Sequence, residues 1–220
     1  MLVLRLGRES YERVWELQHR LVQARQEGRV DDILILLEHD PVITLGRAAD
    51  SAHVLASPEK LQESGICVHR VERGGDATYH GPGQLVGYPI LSLQANHLGV
   101  SDYMHMLEQV LIRTLSDYGL PVQRRKGLIG VWVGERKIAA LGARVERGVT
   151  YHGFALNVAP NLEHFSLIVP CGLVGAQVTS LEREIGRQVS IQAVREHVVQ
   201  HFGEIFGVSM QPTTLEHLPL

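Results

Sequence analysis

The first forty positions change from alternating apolar residues to a helical pattern and then to a solid apolar run. Leu2–Leu6 predicts a strand. The next segment, from about Ser10 to Gln26, places Val14, Leu17, Leu21 and Ala24 on one helix face. Ser10 can cap this helix and Gly28 ends it. The continuous run 32–37 then predicts a strand that is buried on both faces.

Shorter apolar segments occupy the middle of the chain and are separated by turn residues. Ser57-Pro58-Glu59 has the order of an N-cap, a first helical residue and a first-turn acid, so it predicts a short helix that Gly65 stops. Three further strands are predicted, over Val42–Leu45, Ile66–Val71 and Leu85–Leu93.

The second half predicts another long helix, a three-stranded meander and a last helix. Ser101 caps the long helix, and Gly119 and Pro121 close it. The last helix covers about 191–206. Strand pairs that alternate with long helices indicate an α+β (mixed α/β) domain. Length alone allows a small appendage, but we find no linker and expect one domain over 1–220. The meander strands are Leu128–Val133, Lys137–Val145 and Val149–Val158.

Composition is that of an ordinary globular protein with a substantial core. The 220 residues are 45% hydrophobic and 20% charged, and the net charge of −3 gives no reason to expect nucleic acid as a partner. No apolar run approaches the roughly 18 residues of a membrane span, so the cytosol is the default compartment. Two cysteines make no disulfide framework, and Cys67 in Ile66-Cys67-Val68 is expected to be a small buried hydrophobe.

Positive charge is concentrated in the segment 124–147. Seven cationic residues stand there against two anionic ones, which gives +5 and leaves −8 for the rest of the chain. Such a segment suits an acidic protein partner, although any single residue in it is more often a solvated surface charge.

The glycine-rich stretch 73–84 is the first candidate for a functional site. It holds four glycines and a proline between Gly74 and Gly83, more than a simple connection requires. No Gly-Lys-Ser/Thr follows, so it is not a phosphate-binding loop, and its glycine spacing does not fit a dinucleotide fingerprint. The loop offers backbone N–H groups as hydrogen-bond donors, and its glycines leave room for a substrate to lie against the main chain.

One cysteine and one lysine complete the candidate chemistry. Pro170-Cys171-Gly172 reads as a turn that presents the thiol, and Lys137 opens the strand Lys-Ile-Ala-Ala-Leu-Gly. A nearby ammonium would stabilise a thiolate, and a neutral amine could accept a proton from an incoming nucleophile. These groups together can form an acyl-transfer site. The twelve histidines show neither a His-Glu-x-x-His pattern nor paired-cysteine spacing, so we expect no metal site; His39 and His152 remain possible site-lining residues.

These blocks resemble the lipoyl(octanoyl) transferase family. The stretches 38–47, 149–158 and 178–181 are similar to it too, so the resemblance covers nearly the whole chain except its ends. Lys126 and Gly148 depart from the family pattern beside the motifs, which bears on partner docking more than on chemistry.

The resemblance implies a fold shared with biotin and lipoate protein ligases, a mixed sheet with packed helices. It implies transfer of octanoyl from acyl carrier protein to a lysine of lipoyl domains, in 2-oxoacid dehydrogenases and the glycine cleavage H protein, without a cofactor. Cys171 would carry the acyl group with Lys137 as its partner, and small residues would leave space for a linear chain. The substrate-binding residues it implies are Arg73, Gly74, Gly75, Asp76, Ala77, Thr78, Tyr79, His80, Ala140, Leu141, Gly142, Gly153, Phe154 and Ala155.

Other functions stay open. An ATP-dependent lipoate or biotin ligase would share the fold but needs no cysteine nucleophile. A non-enzymatic module that binds lipoyl domains or acyl groups would not need Cys171 and Lys137. For His80, a structural hydrogen bond is at least as plausible as contact with the thioester. A papain-like hydrolase is remote, because its sequence around the nucleophile is missing.

Overall fold

A computed structural model of the chain describes residues 1–169 and 177–220, which form eleven strands and five α-helices. The α-helices are α1 (Tyr11–Gln26), α2 (Pro58–Glu63), α3 (Val100–Ser116), α4 (Leu181–Ile185) and α5 (Ile191–Phe206). The strands are β1 (Leu2–Glu9), β2 (Ile33–His39), β3 (Val42–Leu45), β4 (Cys67–Arg70), β5 (Ala77–His80), β6 (Gln84–Ile90), β7 (Val122–Arg125), β8 (Leu128–Val133), β9 (Arg136–Glu146), β10 (Val149–Asn157) and β11 (Gln211–Thr213).

Eight strands form a large mixed sheet in the order β11-β1-β2-β6-β10-β9-β8-β7. β1 runs parallel to both of its neighbours, and the pairs from β2 to β7 are antiparallel. The α+β class with a mixed sheet and packed helices is therefore confirmed.

Helices cover both faces of the large sheet. In β2, Ile33, Ile35 and Leu37 pack in the cluster that includes α1, whereas Leu34 and Leu36 pack in the cluster that includes α3 and α5. All five side chains are fully buried. The predicted strand with two buried faces is confirmed, because side chains alternate across a strand and each face here meets a helix.

Three strands form a second, separate small sheet in the order β4-β3-β5. β3 runs parallel to β4 and antiparallel to β5, with Val42 opposite His80 and Leu45 opposite Ala77. Within the glycine-rich stretch 73–84, the residues 77–80 are therefore strand and not loop. The segment Ala77–His80 forms a strand because it pairs with β3, although its composition did not predict a strand.

Three local expectations need correction, and one strand was not predicted. The N-cap of α3 is Gly99, so Ser101 lies inside the first turn instead of capping it. Ser10 is the N-cap of α1, but its side chain makes no capping hydrogen bond within the described residues. β7 is an unpredicted strand at the edge of the large sheet. Cys67 is exposed and not buried, because β4 is an edge strand of the small sheet.

The hairpin turns and short helix follow the sequence closely. Gly134, Arg147 and Gly148 all have positive φ, as the tight joints of the meander require. Pro58 is the first residue of α2, and the hydroxyl of Ser57 accepts from Lys60 N. Within the described ranges, no helix is both long and apolar enough to cross a membrane.

Candidate active site

A cavity of about 440 Å³ lies where the small sheet and its loop meet the large sheet. This volume is within the usual range of small-molecule sites. Its walls come from the loop before β5, from strands of both sheets and from the start of α3. The lining residues are Tyr11, Arg73, Gly74, Gly75, Asp76, Ala77, Thr78, His80, Tyr88, Val100, Tyr103, Met104, Gly127, Leu128, Ile129, Lys137, Ala140, Leu141, Gly142, Ala143, Val145, His152, Gly153, Phe154 and Ala155.

The loop 73–76 lies directly on β9. Gly74 N donates to the carbonyl of Ala143 at 3.1 Å. A Cβ built on Gly142 would stand 2.7 Å from Gly74 O, closer than real contacts allow. The glycine at 142 therefore serves the close approach of two backbones, in addition to bordering the cavity.

Arg73 organises this loop from inside. Its guanidinium donates to Thr44 Oγ1 at 2.9 and 3.0 Å and to Thr44 O at 2.6 Å. It also donates to Asp76 O at 2.6 Å and to Gly74 O at 3.0 Å. The planar fork of arginine satisfies several carbonyls at once, so this buried side chain ties the loop to β3.

Lys137 is buried near the start of β9, at the wall of the cavity. Its Nζ lies 4.9 Å from the centroid of the Trp132 ring, a cation–π distance. Gly130 has φ of +135°, and a Cβ there would be 2.9 Å from Lys137 Cε. The glycine leaves room for the lysine side chain, and the buried carboxylate of Glu108 holds Gly130 N at 3.0 Å.

Cys171 belongs to the stretch 170–176, outside the described residues. The described residues on both sides of that stretch are anchored by backbone bonds. Lys137 N donates to Gln177 O, and Thr179 N donates to Lys137 O, each at 2.9 Å. On the other side, Val169 N donates to His53 O at 2.8 Å, and the His53 ring meets the carboxylate of Asp76 at 2.7 Å.

A buried hydrogen-bond chain joins the cavity to the same region. His80 Nδ1 is 2.7 Å from Gln84 Oε1, Gln84 Nε2 donates to Asn157 Oδ1 at 2.9 Å, and Asn157 Nδ2 donates to Thr179 O at 3.0 Å. Since the Gln84 oxygen can only accept, Nδ1 of His80 carries the proton and Nε2 has the lone pair. Burial lowers the pKa of His80 to about 3, so the ring is neutral at pH 7.

Two further histidines hold neighbouring groups. His39 Nδ1 is 3.1 Å from the carbonyl of Glu9, so Nδ1 donates and Nε2 accepts from the hydroxyl of Tyr88 at 2.8 Å. Burial lowers the pKa of His39 to about 4. His152 has φ of +53°, an uncommon conformation for a residue with a side chain, inside β10. Its Nε2 is 3.6 Å from a carboxylate oxygen of Glu72.

His152 and Glu72 differ in their protonation. Interaction with the His152 ring holds the pKa of the Glu72 carboxyl at about 2. The Glu72 carboxylate acts to raise the pKa of His152, but the effect of burial is larger and lowers it. The cavity is therefore bordered at neutral pH by a neutral imidazole beside an ionised carboxylate.

The structure brings most of the predicted residues to this one cavity. All of the expected binding residues except Tyr79 line it, as does Lys137. The Tyr79 ring packs against Phe165 in the core of the small sheet, and its hydroxyl meets His164 Nδ1 at 2.8 Å. His152 lines the cavity, whereas His39 does not line it but contacts the lining residues Tyr88 and His80.

Sequence reasoning missed several lining residues, because they stand outside the motifs. Met104 packs against the apolar core beside α3, and the apolar pattern gives no sign that this end of the helix opens onto a cavity. Tyr88 is one position of a predicted strand and carries no local signal. The missed residues are Tyr11, Tyr88, Val100, Tyr103, Met104, Gly127, Leu128, Ile129, Ala143 and Val145.

Comparisons with known proteins agree with this arrangement. Residues 10–203 match the lipoyl protein ligase A/B catalytic domain model. The chain is 46% identical over 212 residues to an octanoyltransferase of Alkaliphilus metalliredigens, covering 96% of this chain and 97% of that one. It is 49% identical over 207 residues to an octanoyltransferase of Solibacter usitatus, covering 94% and 93%.

Solved structures show the same fold at low sequence identity. A bipartite lipoate protein ligase from Thermoplasma acidophilum is similar with a TM-score of 0.74 and 21% identity, covering 97% of this chain and 86% of that one. A biotin protein ligase from Aquifex aeolicus, solved with biotin and ATP, is similar with a TM-score of 0.59 and 12% identity, covering 93% and 70%. The fold expected from the sequence, shared with lipoate and biotin ligases, is confirmed.

Proposed function

The chain belongs to the lipoyl protein ligase A/B catalytic domain family and, within it, to the octanoyltransferases, and on that premise we propose the reaction that it catalyses. It moves an octanoyl group from acyl carrier protein to a lysine of lipoyl domains, with Cys171 carrying the acyl group in between. Residues 1–220 act as one catalytic domain, and the cytoplasmic location expected from the sequence belongs to the same proposal.

The first half of the reaction loads the enzyme. The Cys171 thiolate attacks the carbonyl carbon of the carrier's octanoyl thioester, a new C–S bond forms, and the bond to the carrier's sulfur breaks. The Lys137 ammonium gives its proton to the departing thiolate. Lys137 is then a neutral amine beside the acyl-cysteine.

The second half transfers the group to nitrogen. The amine of the target lysine attacks the carbonyl carbon of the acyl-cysteine, a C–N bond forms, and the bond to Cys171 breaks. Neutral Lys137 accepts the proton that the amine loses. The enzyme returns to a thiolate and an ammonium, so no nucleotide is consumed and no external base is required.

The observation that carries this proposal is the setting of Lys137. It borders the cavity, and its backbone is bonded to Gln177 and Thr179, which follow directly after the stretch that contains Cys171. A lysine whose backbone is hydrogen-bonded to both residues is well placed to exchange protons with a nucleophile a few positions earlier in the chain. The apolar walls from β9, β10 and α3 suit a saturated eight-carbon chain.

A loading experiment tests the proposal. The protein is incubated with octanoyl carrier protein, with chelator and without ATP, and its intact mass is measured. We expect one octanoyl adduct, released by neutral hydroxylamine and absent in Cys171→Ala. Cys67→Ala is the matched control and should load normally.

Two outcomes would contradict it. One is an adduct that persists in Cys171→Ala. The other is a strict requirement for ATP with free octanoate as the donor, which would favour the ligase reaction.

The structure narrows the positive segment 124–147 to the side chains whose charge is available for docking an acidic carrier protein. Arg124 pairs with the buried carboxylate of Glu108 at 2.9 Å, so its charge already has a structural partner. Lys126 is exposed at the β7–β8 turn, and Gly127–Ile129, which line the cavity, follow it directly. Val100 and Ile129, each 55% exposed, add an apolar rim. In the proposal, the carrier docks at this rim and Lys126 contributes to its attraction.

A further inference from the structure

A second cluster of chemistry-bearing side chains lies at the other end of α3, where the helix meets α5. Asp117 is the C-cap of α3, and His197 and His201 stand one turn apart on α5. His197 Nδ1 and His201 Nε2 are each 2.7 Å from Asp117 Oδ2. All three donor atoms lie within 4.8 Å of one another. We propose that these three residues bind a divalent transition-metal ion, with Zn²⁺ the preferred one.

The donor set suits zinc. Two imidazoles four residues apart on a helix and one carboxylate make a three-ligand site, and water can take the fourth position. Zinc bonds of about 2.0–2.2 Å in a tetrahedron put the donor atoms about 3.3 Å apart. The present spacing from Asp117 to each imidazole would have to widen by only about half an ångström. Asp117 and His197 are partly exposed, so an ion can enter from solvent.

A further carboxylate orients one of the ligands. His201 Nδ1 lies 3.3 Å from Glu204 Oε2, and Glu204 is itself held by Gln200 at 2.9 Å and Arg113 at 3.3 Å. A proton on Nδ1 that is shared with Glu204 leaves Nε2 as the metal donor. Metal-binding histidines usually have such a partner on their second nitrogen. The Tyr118 ring, with its centroid 5.4 Å from that of His197, restrains the other imidazole.

The site would be structural and not part of the acyl-transfer chemistry. The residues of α3 that line the cavity are among its first five, and the helix has 17 residues. At 1.5 Å per residue, about 25 Å separates the two ends. An ion at Asp117 would join the C-terminal end of α3 to α5, the two helices that cover one face of the large sheet. Any ligand that binds only the folded state stabilises it.

Zinc titration by calorimetry tests the proposal, on full-length protein without an affinity tag and after removal of metal. The Cys67→Ser, Cys171→Ala double variant is used so that thiols do not bind the ion. We expect saturable binding of one Zn²⁺, a rise of several degrees in Tm on adding zinc, and tetrahedral Co²⁺ absorption bands on substitution.

Variants distinguish this site from a set of ion pairs. In the same background, His197→Ala should abolish the calorimetric signal and the cobalt bands. Glu204→Gln, which keeps all three ligands, should weaken binding about 10–100-fold. His217→Ala, at an exposed histidine, should leave binding unchanged. Absence of one-to-one binding in the double-cysteine variant, or equal affinity in His197→Ala, would show that the cluster is an ion-pair network only.

Discussion

The two sheets of this molecule are stabilised by different interactions. The large sheet is buried by apolar side chains on both faces, as the five consecutive buried residues that begin β2 illustrate. The small sheet has three strands of four residues each, and its loop is held by the polar bonds of Arg73 to Thr44, Gly74 and Asp76. The candidate site lies where the apolar scaffold and this polar assembly meet.

The difference separates two tasks. The large sheet provides Lys137 and an apolar wall whose strands are buried on both faces. The small sheet provides His80 and the loop, whose backbone groups are available because they are not all used in strand pairing. Substitutions in the large sheet and in the small sheet should therefore have different effects on activity and stability. Substitutions where the two sheets meet should affect both sheets.

The largest effect is expected on the large sheet, at Lys137. Lys137→Ala removes the group that moves protons in both halves of the reaction, which costs about 10²–10⁴-fold in rate. Stability should change little, so loss of activity without loss of fold is the signature of this side. Single-turnover loading, quenched and followed by intact mass across pH 6–9, measures it. Lys60→Ala, at an exposed lysine of α2, is the control, and a normal rate and pH profile in Lys137→Ala would refute the assigned role.

The corresponding test on the small sheet is Arg73→Lys. Lysine keeps the charge but loses the fork, so buried carbonyls are left unpaired at a cost of about 1–3 kcal/mol in the free energy of unfolding. Hydrogen exchange should accelerate across 73–80 and not in β2, and kcat/KM should fall at least about tenfold. Arg70→Lys, on the exposed edge strand β4, is the matched control. Exchange that is unchanged in 73–80 would mean that Arg73 does not hold the loop.

A third prediction concerns pH and a residue whose ring contacts both sheets. His39 ends β2, and its ring centroid is 5.9 Å from that of His80 on β5. Its pKa is about 4 when folded against about 6.5 when unfolded, so acid favours the unfolded chain. Stability falls as pH drops from about 6.5 towards 4, and His39 accounts for about 2 kcal/mol between pH 7 and pH 5.

His39→Gln keeps a hydrogen-bonding side chain and removes the titration. The variant should therefore lose less stability than the native protein when urea unfolding is repeated at pH 7 and pH 5. An equal loss in both proteins would show that His39 is protonated in the folded state at pH 5.

A smaller effect is expected at the contact between the sheets. Gly142→Ala places a methyl group against Gly74 O, which must move by several tenths of an ångström. We expect about a tenfold loss in kcat/KM with a modest fall in Tm, because the loop shifts while the large sheet stays intact. Gly7→Ala is the control, since no described atom lies within 4 Å of a Cβ there. Full activity in Gly142→Ala would show that the close approach is not needed.

The smallest effect is expected at the rim. Lys126→Glu should raise the KM for octanoyl carrier protein about threefold and flatten its dependence on salt, because rim charges act mainly on association and are screened beyond about 8 Å at physiological ionic strength. A small octanoyl thioester should be used equally well by both proteins. Arg147→Glu, at the β9–β10 turn, is the charge-matched control. Equal effects of the two reversals would mean that only net charge matters.

The parts of the fold that could be predicted are those decided by burial. The apolar run in β2 and the spacing of α1 and α5 were sufficient, since each element repeats one pattern over many residues. β5 was not predicted, because Ala77–His80 forms a strand only through its pairing with β3. β7 escaped because Val122–Arg125 is a polar edge strand with no alternation to detect.

The candidate site divides in the same way. The glycine-rich loop and Lys137 were found because motifs carry them, whereas Tyr88 and Tyr103 are brought to the cavity only by the packing of β6 and α3. The cluster of Asp117, His197 and His201 was not predicted from the sequence. Its signal was present in the spacing of His197 and His201, but a ligand from another helix cannot be read from spacing.

The exposed thiol on β4 has a consequence for handling the protein. Cys67 stands on a strand whose outer edge is unpaired within the described part of the chain, so two molecules can approach there edge to edge. Air oxidation would then join them through a disulfide. A band of doubled mass on a non-reducing gel would then come from oxidation during storage and not from a native dimer. Cys67→Ser should abolish that band.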